Sequence, residues 1–515
     1  MSRRAEAGLY AALTLLAVVL RFIDLGERPF HHDESQDAYF SWLFVEDGTY
    51  EYDPLLHGPL RFYLTGLMYV VFGDSDFTAR LAPALMGISM IPLCWLLRPL
   101  AGRVAAAATA ALFAVGPSFL YFSRFAREDI YKAAVTLALL AIFFRFLERP
   151  RRWHPPVLGA LLAASFAIKE STFITVFVVG TFLIAWAVRD WRRGRPDLLR
   201  RVTALGWEPL VWAFTTFMAV YVVSFTTFFT DPDHWDALWE GLDYWLGQHP
   251  VGRGGEPWFY YLILLFGVEW PVLLLGGIGA AAALRRPTPF RLFLVWMFVV
   301  SLVVYSWAGE KFAWLLLHPL LPAVVLAGIG AQTLWENRRR VAGRAGLAAA
   351  AIASAYLLFA SVSVNALNRA DPRELLVTTQ SSERVLAVRD RVFETARRVR
   401  AETGRDATVI IDSSEGATFP WAWYFRDLEG VGYLDLSTVE APPAGDVLVM
   451  TDGNRARLAG QLRGYEALSF PFRVWWVRDY GEQTPAAWAR WMVDRSPWNA
   501  TGGMTEWLLV DRGVA

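Results

Sequence analysis

Long apolar runs recur along this chain at the length needed to cross a membrane, and no other feature limits its possible folds as strongly. A bilayer core requires a helix of about 17 to 25 apolar residues, and the sequence offers about eleven candidate spans. They lie at residues 7–22, 79–99, 103–122, 130–147, 156–168, 171–189, 207–229, 258–283, 289–307, 312–333 and 345–366. The window at 156–168 is the shortest. The pattern therefore predicts a polytopic α-helical membrane protein with about eleven transmembrane helices.

Composition supports this prediction. Of the 515 residues, 55% are hydrophobic and 19% are charged, and the mean hydropathy of +0.32 is too high for a soluble enzyme of this length. Cys94 is the single cysteine, so the chain contains neither an intramolecular disulfide nor a CxxC motif. The segment after "MSRR" has no small-residue cleavage site, and we expect it to be a retained anchor.

Arginine-rich loops predict the orientation. Alternate loops are basic and read "RFLERPRR", "RDWRRGRPDLLRR", "RRPTPFR" and "RRRVAGR", whereas the loops between them are mixed or acidic. Because basic loops stay inside, the N-terminus is predicted to be cytoplasmic. With an odd number of spans, everything after about residue 367 is then extracytoplasmic. We expect a multi-pass protein of the cell (plasma) membrane.

The first outer loop, residues 23–78, carries a dense group of titratable residues. It begins with "RPFHHDESQDAYF", and two later stretches, at 34–45 and 57–72, have the amphipathic spacing of helices lying in the membrane interface. Asp33 is the expected N-cap of the first helix, with Glu34 in its opening turn. Capping alone is the alternative to a chemical role for these two acids.

A second group of charges follows the third span in "SRFAREDIYK". It places Arg124, Arg127, Glu128, Asp129 and Lys132 at the same predicted membrane face. Ionisable groups at membrane depth are costly and tend to mark functional sites. A solvated ion pair between Arg127 and Asp129 at the start of a helix is the alternative.

Lysine is rare and unevenly placed. Of the 49 Lys and Arg residues only Lys132, Lys169 and Lys311 are lysines, and all three fall at the predicted outer boundary. Lysine is a compact charge suited to a phosphate oxygen. The alternative is that each lysine pairs with a neighbouring acid, namely Glu128, Glu170 or Glu310. His318 follows Lys311 by seven residues, which is two turns of a helix, so both side chains can face one cavity. The alternative is that His318 is a buried histidine whose hydrogen bonds are satisfied.

From about residue 370 the pattern changes. "ATVIIDSS" and "GDVLVMTD" are short apolar runs that end in polar turns, and they alternate with helical stretches at 383–402 and 453–463. This pattern predicts a C-terminal extracytoplasmic α/β domain at 367–515, after a transmembrane domain at 1–366. Neither strand precedes a glycine-rich phosphate loop. We expect this domain to cap the active site or to recognise the acceptor.

Several of these stretches resemble a known superfamily. "HHDE" after the first span, "HGPLRFYLTGLMYVVFGDSDFTARLAPALMG", "SRFARED" and "GEKFAWLLLHPLLP" are similar to segments of the GT-C polytopic glycosyltransferases, such as protein O-mannosyltransferases and the lipid A aminoarabinose transferase. More narrowly, the late "EK" segment and "WAWYFRD" resemble the flippase-activity-associated proteins of bacteria and archaea. The resemblance extends to about residue 366 and is weaker beyond it.

The resemblance implies an inverting transfer of one sugar from a polyprenyl-phosphate carrier to an acceptor hydroxyl at the outer membrane face. It implies that Asp33, with Glu34 adjacent, is the general base and that Glu128 or Asp129 is the second-loop acid. The cation near the carrier phosphate corresponds to Lys311 or Arg124. A carboxylate that takes the hydroxyl proton and cations that stabilise the leaving phosphate would supply both halves of this reaction.

The remaining predictions concern ligands and alternatives. Residues expected to bind substrate or phosphate are Arg124, Arg127, Lys132, Lys169, Lys311, His57 and His318. No cofactor is expected to be required, although His31, His32, Asp33 and Glu34 can ligate a divalent metal. Expected partners are the carrier-linked sugar, an acceptor lipid, glycan or protein, and membrane lipids, without nucleic acid. A lipid-linked sugar flippase or its accessory protein is the rival function, since it needs the same cavity but no base.

Overall fold

A computed structural model describes residues 2–48, 50–194 and 197–514 and divides the chain into two compact units. The first unit comprises Met1–Leu25, Phe44–Asp74 and Thr78–Leu367, and the second comprises Gly26–Leu43, Ser75–Phe77 and Asn368–Ala515. The boundary near residue 367 lies one residue from the predicted position. The assignment of two pieces of the first outer loop to the second unit was not foreseen from the sequence. Two residues of the predicted inner loop at 189–201, Arg195 and Pro196, lie outside the described residues.

Nineteen α-helices precede residue 368 in the described chain. They are α1 (Arg3–Phe22), α2 (His32–Asp47), α3 (Leu60–Phe72), α4 (Asp76–Ala79), α5 (Leu81–Leu93), α6 (Arg98–Ala101), α7 (Arg103–Val115), α8 (Pro117–Ser123), α9 (Asp129–Glu148), α10 (His154–Ile168), α11 (Thr172–Arg192), α12 (Asp197–Ala204), α13 (Glu208–Phe225), α14 (Ala237–Gln248), α15 (Tyr260–Gly267), α16 (Trp270–Arg285), α17 (Pro289–Trp307), α18 (Leu317–Glu336) and α19 (Val341–Val362).

The predicted spans all coincide with helices of the first unit. Eight helical segments of the described chain are long and apolar enough to cross a membrane. Two further candidates are bent pairs, α7 with α8 at 56° and α15 with α16 at 98°. The shortest predicted span corresponds to α10, an apolar helix of 15 residues. A polytopic α-helical membrane fold is therefore confirmed.

Side chains from elsewhere in the first unit form hydrogen bonds with the backbone groups at the break between α7 and α8. Arg21, at the end of α1, donates to the carbonyl oxygens of Ala114 (3.2 Å) and Phe113 (2.9 Å), which lack partners within α7. On the other side of the break, the Glu269 carboxylate accepts from the backbone N–H of Ser118 (3.0 Å). A backbone group left without a hydrogen-bond partner in hydrocarbon costs on the order of several kcal/mol, because no water is present to replace the partner. These two contacts explain why a broken helix is tolerated here.

Glycines allow α16 and α18 to pack closely. A methyl group added to Gly279 would overlap the carbonyl oxygen of Leu326, and one added to Gly330 would overlap that of Leu275. Small residues at such interfaces let helix backbones approach each other within the membrane. The α16–α18 contact therefore depends on having no side chain at these two positions.

The two amphipathic stretches of the first outer loop form helices, as predicted. They are α2 and α3, and α2 begins at His32, two residues before the predicted start. Asp33 is therefore not the N-cap but lies inside the first turn. The backbone N–H of Asp33 donates to His31 Nδ1 (3.0 Å), and Glu34 Oε2 accepts from the backbone N–H of His31 (3.1 Å). This reciprocal pair is a capping box, with histidine in place of the usual serine or threonine.

The second unit contains a six-stranded sheet with the strand order β1-β5-β6-β4-β2-β3. The strands are β1 (Gln380–Ser381), β2 (Val409–Asp412), β3 (Val431–Leu434), β4 (Val447–Thr451), β5 (Tyr465–Trp475) and β6 (Gly502–Asp511), and the helices are α20 (Arg384–Thr403), α21 (Trp421–Tyr424), α22 (Asp452–Arg457) and α23 (Pro485–Asp494). Strands β4, β2 and β3 are parallel, while β1, β5 and β6 pair antiparallel. The predicted α/β fold is thereby confirmed.

Asp412 fixes the carboxyl ends of the parallel strands. Its carboxylate accepts from the backbone N–H of Thr451 (3.1 Å), from that of Ser414 (3.1 Å) and from Asn454 Nδ2 (2.8 Å). Burial raises the pKa of Asp412, but the hydrogen bonds from Asn454, Ser414 and Thr451 outweigh burial and lower it. Asp412 is thus a structural carboxylate at the strand ends.

We expect Gly279→Ala to lower the midpoint of thermal unfolding in detergent, because the added methyl group forces α16 away from α18. Overpacking of this kind costs about 1–3 kcal/mol. Gly277→Ala is the matched control on the same helix, since nothing lies within 4 Å of its added methyl group. Tryptophan fluorescence during heating measures both variants. Equal midpoints for the two variants would contradict the proposed packing.

Candidate functional site

A close backbone contact positions His57 in the first unit. The backbone N–H of Gly58 donates to the carbonyl oxygen of Ile168 (3.3 Å), and a side chain at Gly58 would collide with the backbone of Ala167. His57 itself has a φ of +63°, in the left-handed region that non-glycine residues seldom occupy. Strained backbone of this kind persists where surrounding contacts enforce it and often marks functional sites. The loop is thereby held against the end of α10.

Glu128 lies at the centre of a buried charge cluster. One carboxylate oxygen accepts from Lys169 Nζ (2.6 Å), and the other accepts from Arg61 Nη1 (2.6 Å). His57 Nε2 lies 3.4 Å from the first of these oxygens. The carboxylate therefore connects the first loop, the start of α9 and the turn between α10 and α11.

Asp129 extends this cluster by one residue. Its Oδ1 lies 3.1 Å from Lys169 Nζ and 3.0 Å from His318 Nε2, so one ammonium group bridges two consecutive acids. The His318 ring stacks on Tyr305, with 5.0 Å between ring centroids. We refer to His57, Arg61, Glu128, Asp129, Lys169, Glu170 and His318 as the buried charge cluster.

Glu170 points away from its neighbour Lys169 in sequence. Its Oε2 lies 2.8 Å from His57 Nδ1, and its Oε1 accepts from the Tyr52 hydroxyl (3.3 Å). His57 therefore sits between two carboxylates, Glu128 and Glu170.

Burial separates the interior of the cluster from its accessible edge. The side chains of Glu128 and Asp129 are 0% and 1% exposed, whereas those of His57 and Arg127 are 17% and 12% exposed. The Arg127 guanidinium lies over the Trp314 ring, with 4.4 Å from Cζ to the ring centroid, and its Nε is 3.5 Å from Glu128 Oε1. The edge that a ligand can reach is thus basic.

The charges in the cluster stabilise one another. Burial alone raises the pKa of the Glu128 carboxyl, but Arg127, Lys169, His57 and Arg61 outweigh burial and hold it well below its usual range. Burial likewise lowers the pKa of Lys169, whereas the two adjacent carboxylates raise it by more. The carboxylate and the ammonium group are therefore both ionised at neutral pH.

Lys132 occupies a separate, deeper position. It is fully buried, and its Nζ donates to Ser165 Oγ (2.6 Å) and Thr172 Oγ1 (2.9 Å). Its partners are hydroxyl groups on either side of the α10–α11 turn, not Glu128. The contacts indicate a role in fixing that turn.

The contacts of Lys169 and Lys311 differ from the alternative in which each lysine pairs with its neighbouring acid. Lys169 bonds Glu128 and Asp129 rather than Glu170, and Lys311 donates to the carbonyl oxygen of Ala308 (2.6 Å). The seven-residue spacing of Lys311 and His318 does not correspond to two helical turns, because residues 309–312 are not helical. Arg124 donates to the carbonyl oxygens of Leu20 (3.0 Å) and Ile23 (2.7 Å), at the end of α1.

In the second unit, the first turn of α2 distinguishes its two acids. Glu34 is fully buried, and its oxygens accept from Arg28 Nη2 (3.0 Å) and the backbone N–H of His31. The Asp33 side chain keeps 23% of its surface exposed and lies 3.9 Å from His31 Nδ1. Of the two acids, Asp33 is the one that a substrate can reach.

Sequence reasoning missed Arg61, Tyr52 and Glu170 as members of the site. Arg61 is an isolated charge on the apolar helix α3, and such a charge at membrane depth was the available signal. Within the ranges the structure describes, no group of three His, Cys, Asp or Glu side chains is arranged to hold a metal ion. His31 and Glu34, two of the predicted ligands, instead cap α2.

Comparison with known proteins identifies the fold class. ArnT from Cupriavidus metallidurans, crystallised with undecaprenyl phosphate, superposes with a TM-score of 0.63 at 17% identity and covers 100% of this chain and 99% of its own. The oligosaccharyltransferase of Archaeoglobus fulgidus gives a TM-score of 0.53 at 12% identity, covering 83% of this chain and 64% of that one. The chain therefore shares the fold of these two proteins.

Sequence comparisons agree with this class. A family model described as dolichyl-phosphate-mannose-protein mannosyltransferase matches residues 56–205, which include the whole buried charge cluster except His318. The undecaprenyl phosphate-alpha-4-amino-4-deoxy-L-arabinose arabinosyl transferase 1 of Pseudomonas fluorescens is 26% identical over 284 residues, which are 52% of this chain and 48% of that protein. The chain thus spans about half the length of this curated relative. The narrower resemblance to flippase-activity-associated proteins stays a prediction.

We expect Lys169→Met to destabilise the first unit by about 3–5 kcal/mol, because it leaves two consecutive carboxylates buried without the ammonium group between them. Adding Glu128→Gln removes one of those charges, so the double variant should be more stable than the sum of the single effects. Thermal unfolding in detergent measures this double-mutant cycle.

Lys311→Met is the control for this cycle. It removes one hydrogen bond to a backbone carbonyl oxygen, and we expect a loss of about 1 kcal/mol. Additive effects of Lys169→Met and Glu128→Gln would show that Lys169 and Glu128 are not energetically coupled.

Proposed function

We propose that this protein is an inverting glycosyltransferase that moves one sugar from a polyprenyl-phosphate carrier to an acceptor hydroxyl at the outer face of the membrane. The fold shared with ArnT over the full length of both chains supports this proposal. So does the curated relative, whose name specifies an undecaprenyl-phosphate-linked aminosugar. Both relatives use or bind a lipid phosphate, which is the ligand expected at a membrane face.

The basic edge of the buried charge cluster is the observation that carries the proposal. The cluster and its neighbour Arg127 contain three basic side chains, Arg61, Arg127 and Lys169, and three carboxylates. His57 and Arg127 are partly exposed. Fixed guanidinium and ammonium groups, already oriented by buried carboxylates, suit a phosphate whose negative charge grows as the sugar leaves.

Glu128 and Asp129 serve this site by positioning cations. Each carboxylate is buried and already bound to Lys169, so neither has the exposure that a general base requires. We assign Arg127 and His57 to the phosphate, and Lys169 to holding the two acids. Arg124 and Lys311 remain candidates for the phosphate, with each bound to backbone carbonyl oxygens in this structure.

Asp33 is the proposed general base. A base must lie within hydrogen-bond reach of the acceptor hydroxyl, and its carboxylate must be accessible. Asp33 is partly exposed, whereas the adjacent Glu34 is fully buried and bound to Arg28. Glu34 is therefore assigned to capping α2 and not to proton transfer.

We expect Asp33→Asn to lower turnover by roughly a hundredfold or more while carrier binding is retained, because removal of a general base slows the chemical step. Arg127→Met should instead weaken donor binding. The assay measures release of polyprenyl phosphate by the purified protein, with undecaprenyl-phosphate-linked aminoarabinose and polyprenyl-phosphate mannose as the two donors. Each donor is tested with and without a chelator, which determines any need for a divalent metal.

Two results would contradict the proposal. Full activity of Asp33→Asn would exclude Asp33 as the base. A wild-type protein that binds carrier but releases no product with either donor would favour the flippase function, which transport of labelled carrier-linked sugar in vesicles would then test.

The orientation is proposed from the loop charges. Cys94 is the only cysteine and is buried, so an added cysteine on the surface gives a clean labelling signal. We expect Ser437→Cys, exposed in the second unit, to react with a membrane-impermeant maleimide in intact cells. Ala204→Cys, exposed in a predicted inner loop, should react only after permeabilisation. The opposite labelling pattern would reverse the topology.

A further inference from the structure

The segment that carries Asp33 is bonded to distant parts of the chain within the second unit. The backbone N–H of Phe30 donates to the Tyr424 hydroxyl (2.9 Å), and Gln380 Nε2 donates to the carbonyl oxygen of Pro29 (2.8 Å). These contacts fix the residues just before α2. The first turn of α2 has a further contact, with an arginine of the sheet.

That arginine is Arg473 on β5. Its Nη2 lies 3.0 Å from His32 Nδ1, 2.6 Å from the carbonyl oxygen of Gly416 and 2.8 Å from that of Phe419. The pairing of β5 with β6 is irregular between Pro471 and Arg473, as in a β-bulge. Bulges redirect side chains and occur often beside functional sites. The guanidinium is therefore fixed by the 416–419 loop and directed at the first turn of α2.

His32 is suited to accept this hydrogen bond. Burial lowers the pKa of His32 to about 4, with Arg473 acting in the same direction and Asp33 opposing it. The ring is then neutral at physiological pH, and its Nδ1 can accept a hydrogen bond from the guanidinium, which stays protonated. The His32 ring also packs edge-on against Phe419, with 5.8 Å between centroids.

The carboxylates of Glu506 and Asp33 both favour the charged form of the Arg473 guanidinium. Glu506 is fully buried on β6, and burial raises its pKa well above the usual value, although Trp421 and Arg473 act in the opposite direction. The negative charge of Asp33 also attracts this guanidinium.

From these contacts we propose that Arg473 is a positioning residue for Asp33, acting through His32 and the first turn of α2. This inference rests on the proposed role of Asp33 as the general base. Asp33 follows His32 directly, so any shift at His32 moves the carboxylate. Misplacement by about 1 Å can cost on the order of a hundredfold in rate. Arg473 thus contributes to catalysis by holding the base, without touching the reacting atoms.

Kinetics and hydrogen exchange test this inference together. We expect Arg473→Met to lower kcat about 10- to 100-fold with little change in the KM for the donor, because the base is displaced while the phosphate site is intact. Arg473→Lys should recover part of the lost kcat, since an ammonium group restores the charge and one hydrogen bond. Amide exchange in residues 30–42 should become faster in Arg473→Met, while strands β2 and β4 keep their protection.

Two variants separate positioning from general damage to the fold. Arg455→Met is the matched control, because Arg455 covers the Trp507 ring at 4.3 Å and should leave both kcat and exchange in residues 30–42 unchanged. His32→Phe removes the acceptor while keeping Arg473 in the sheet, and it should reproduce the loss of kcat. If Arg473→Met unfolds the sheet, His32→Phe decides the question.

Several outcomes would overturn the inference. Wild-type exchange in residues 30–42 of Arg473→Met would show that Arg473 does not hold this segment. Faster exchange with unchanged kcat would show that holding it has no effect on the base. If the wild-type protein turns over neither donor, the proposed function fails, and the exchange data still establish whether Arg473 anchors α2.

Discussion

Lys169 forms the contact on which the arrangement of the first unit depends. Its ammonium group lies between Glu128 and Asp129, two consecutive carboxylates that are almost fully buried. Burial of each such charge costs on the order of several kcal/mol unless its partners are close and well oriented. A cost of this size is comparable to the free energy of unfolding of a whole domain. Because Glu128 also binds Arg61 and approaches His57, the same contact connects α9, the α10–α11 turn and the first outer loop. Removal of the ammonium group would leave the two carboxylates at this junction without its compensating positive charge.

The sequence predicted the helices well and their contacts poorly, for a physical reason. Hydropathy and helical spacing are local properties, so the spans and the amphipathic helices α2 and α3 could be placed from the sequence alone. The partner of a buried charge depends on which helices meet. Lys169 therefore binds Glu128 and Asp129, about 40 residues away along the chain, and not Glu170 beside it. Arg61 escaped notice because its partner lies 67 residues away along the chain.

Sequence reasoning identified the candidate base more accurately than it identified the surroundings of that residue. Sequence reasoning selected Asp33 and Glu34 together, and only their contacts show that Glu34 is used by Arg28 and by the helix cap. It assigned the whole loop to the membrane domain, whereas residues 26–43 belong to the α/β unit. No local sequence pattern predicts that residues 26–43 belong to the α/β unit, because their position depends on hydrogen bonds to residues 380, 424 and 473. Long-range pairing of this kind becomes visible only in the folded chain.

The same long-range pairing sets the order in which this protein can mature. Phe30 bonds a residue 394 positions later, and His32 bonds one 441 positions later. Every candidate membrane span is therefore synthesised before the partners of the Asp33 segment. Contacts so distant in sequence are the slowest to form. The Asp33 segment would remain without these partners until the last strands had been made and folded, so that truncated copies would leave it unanchored.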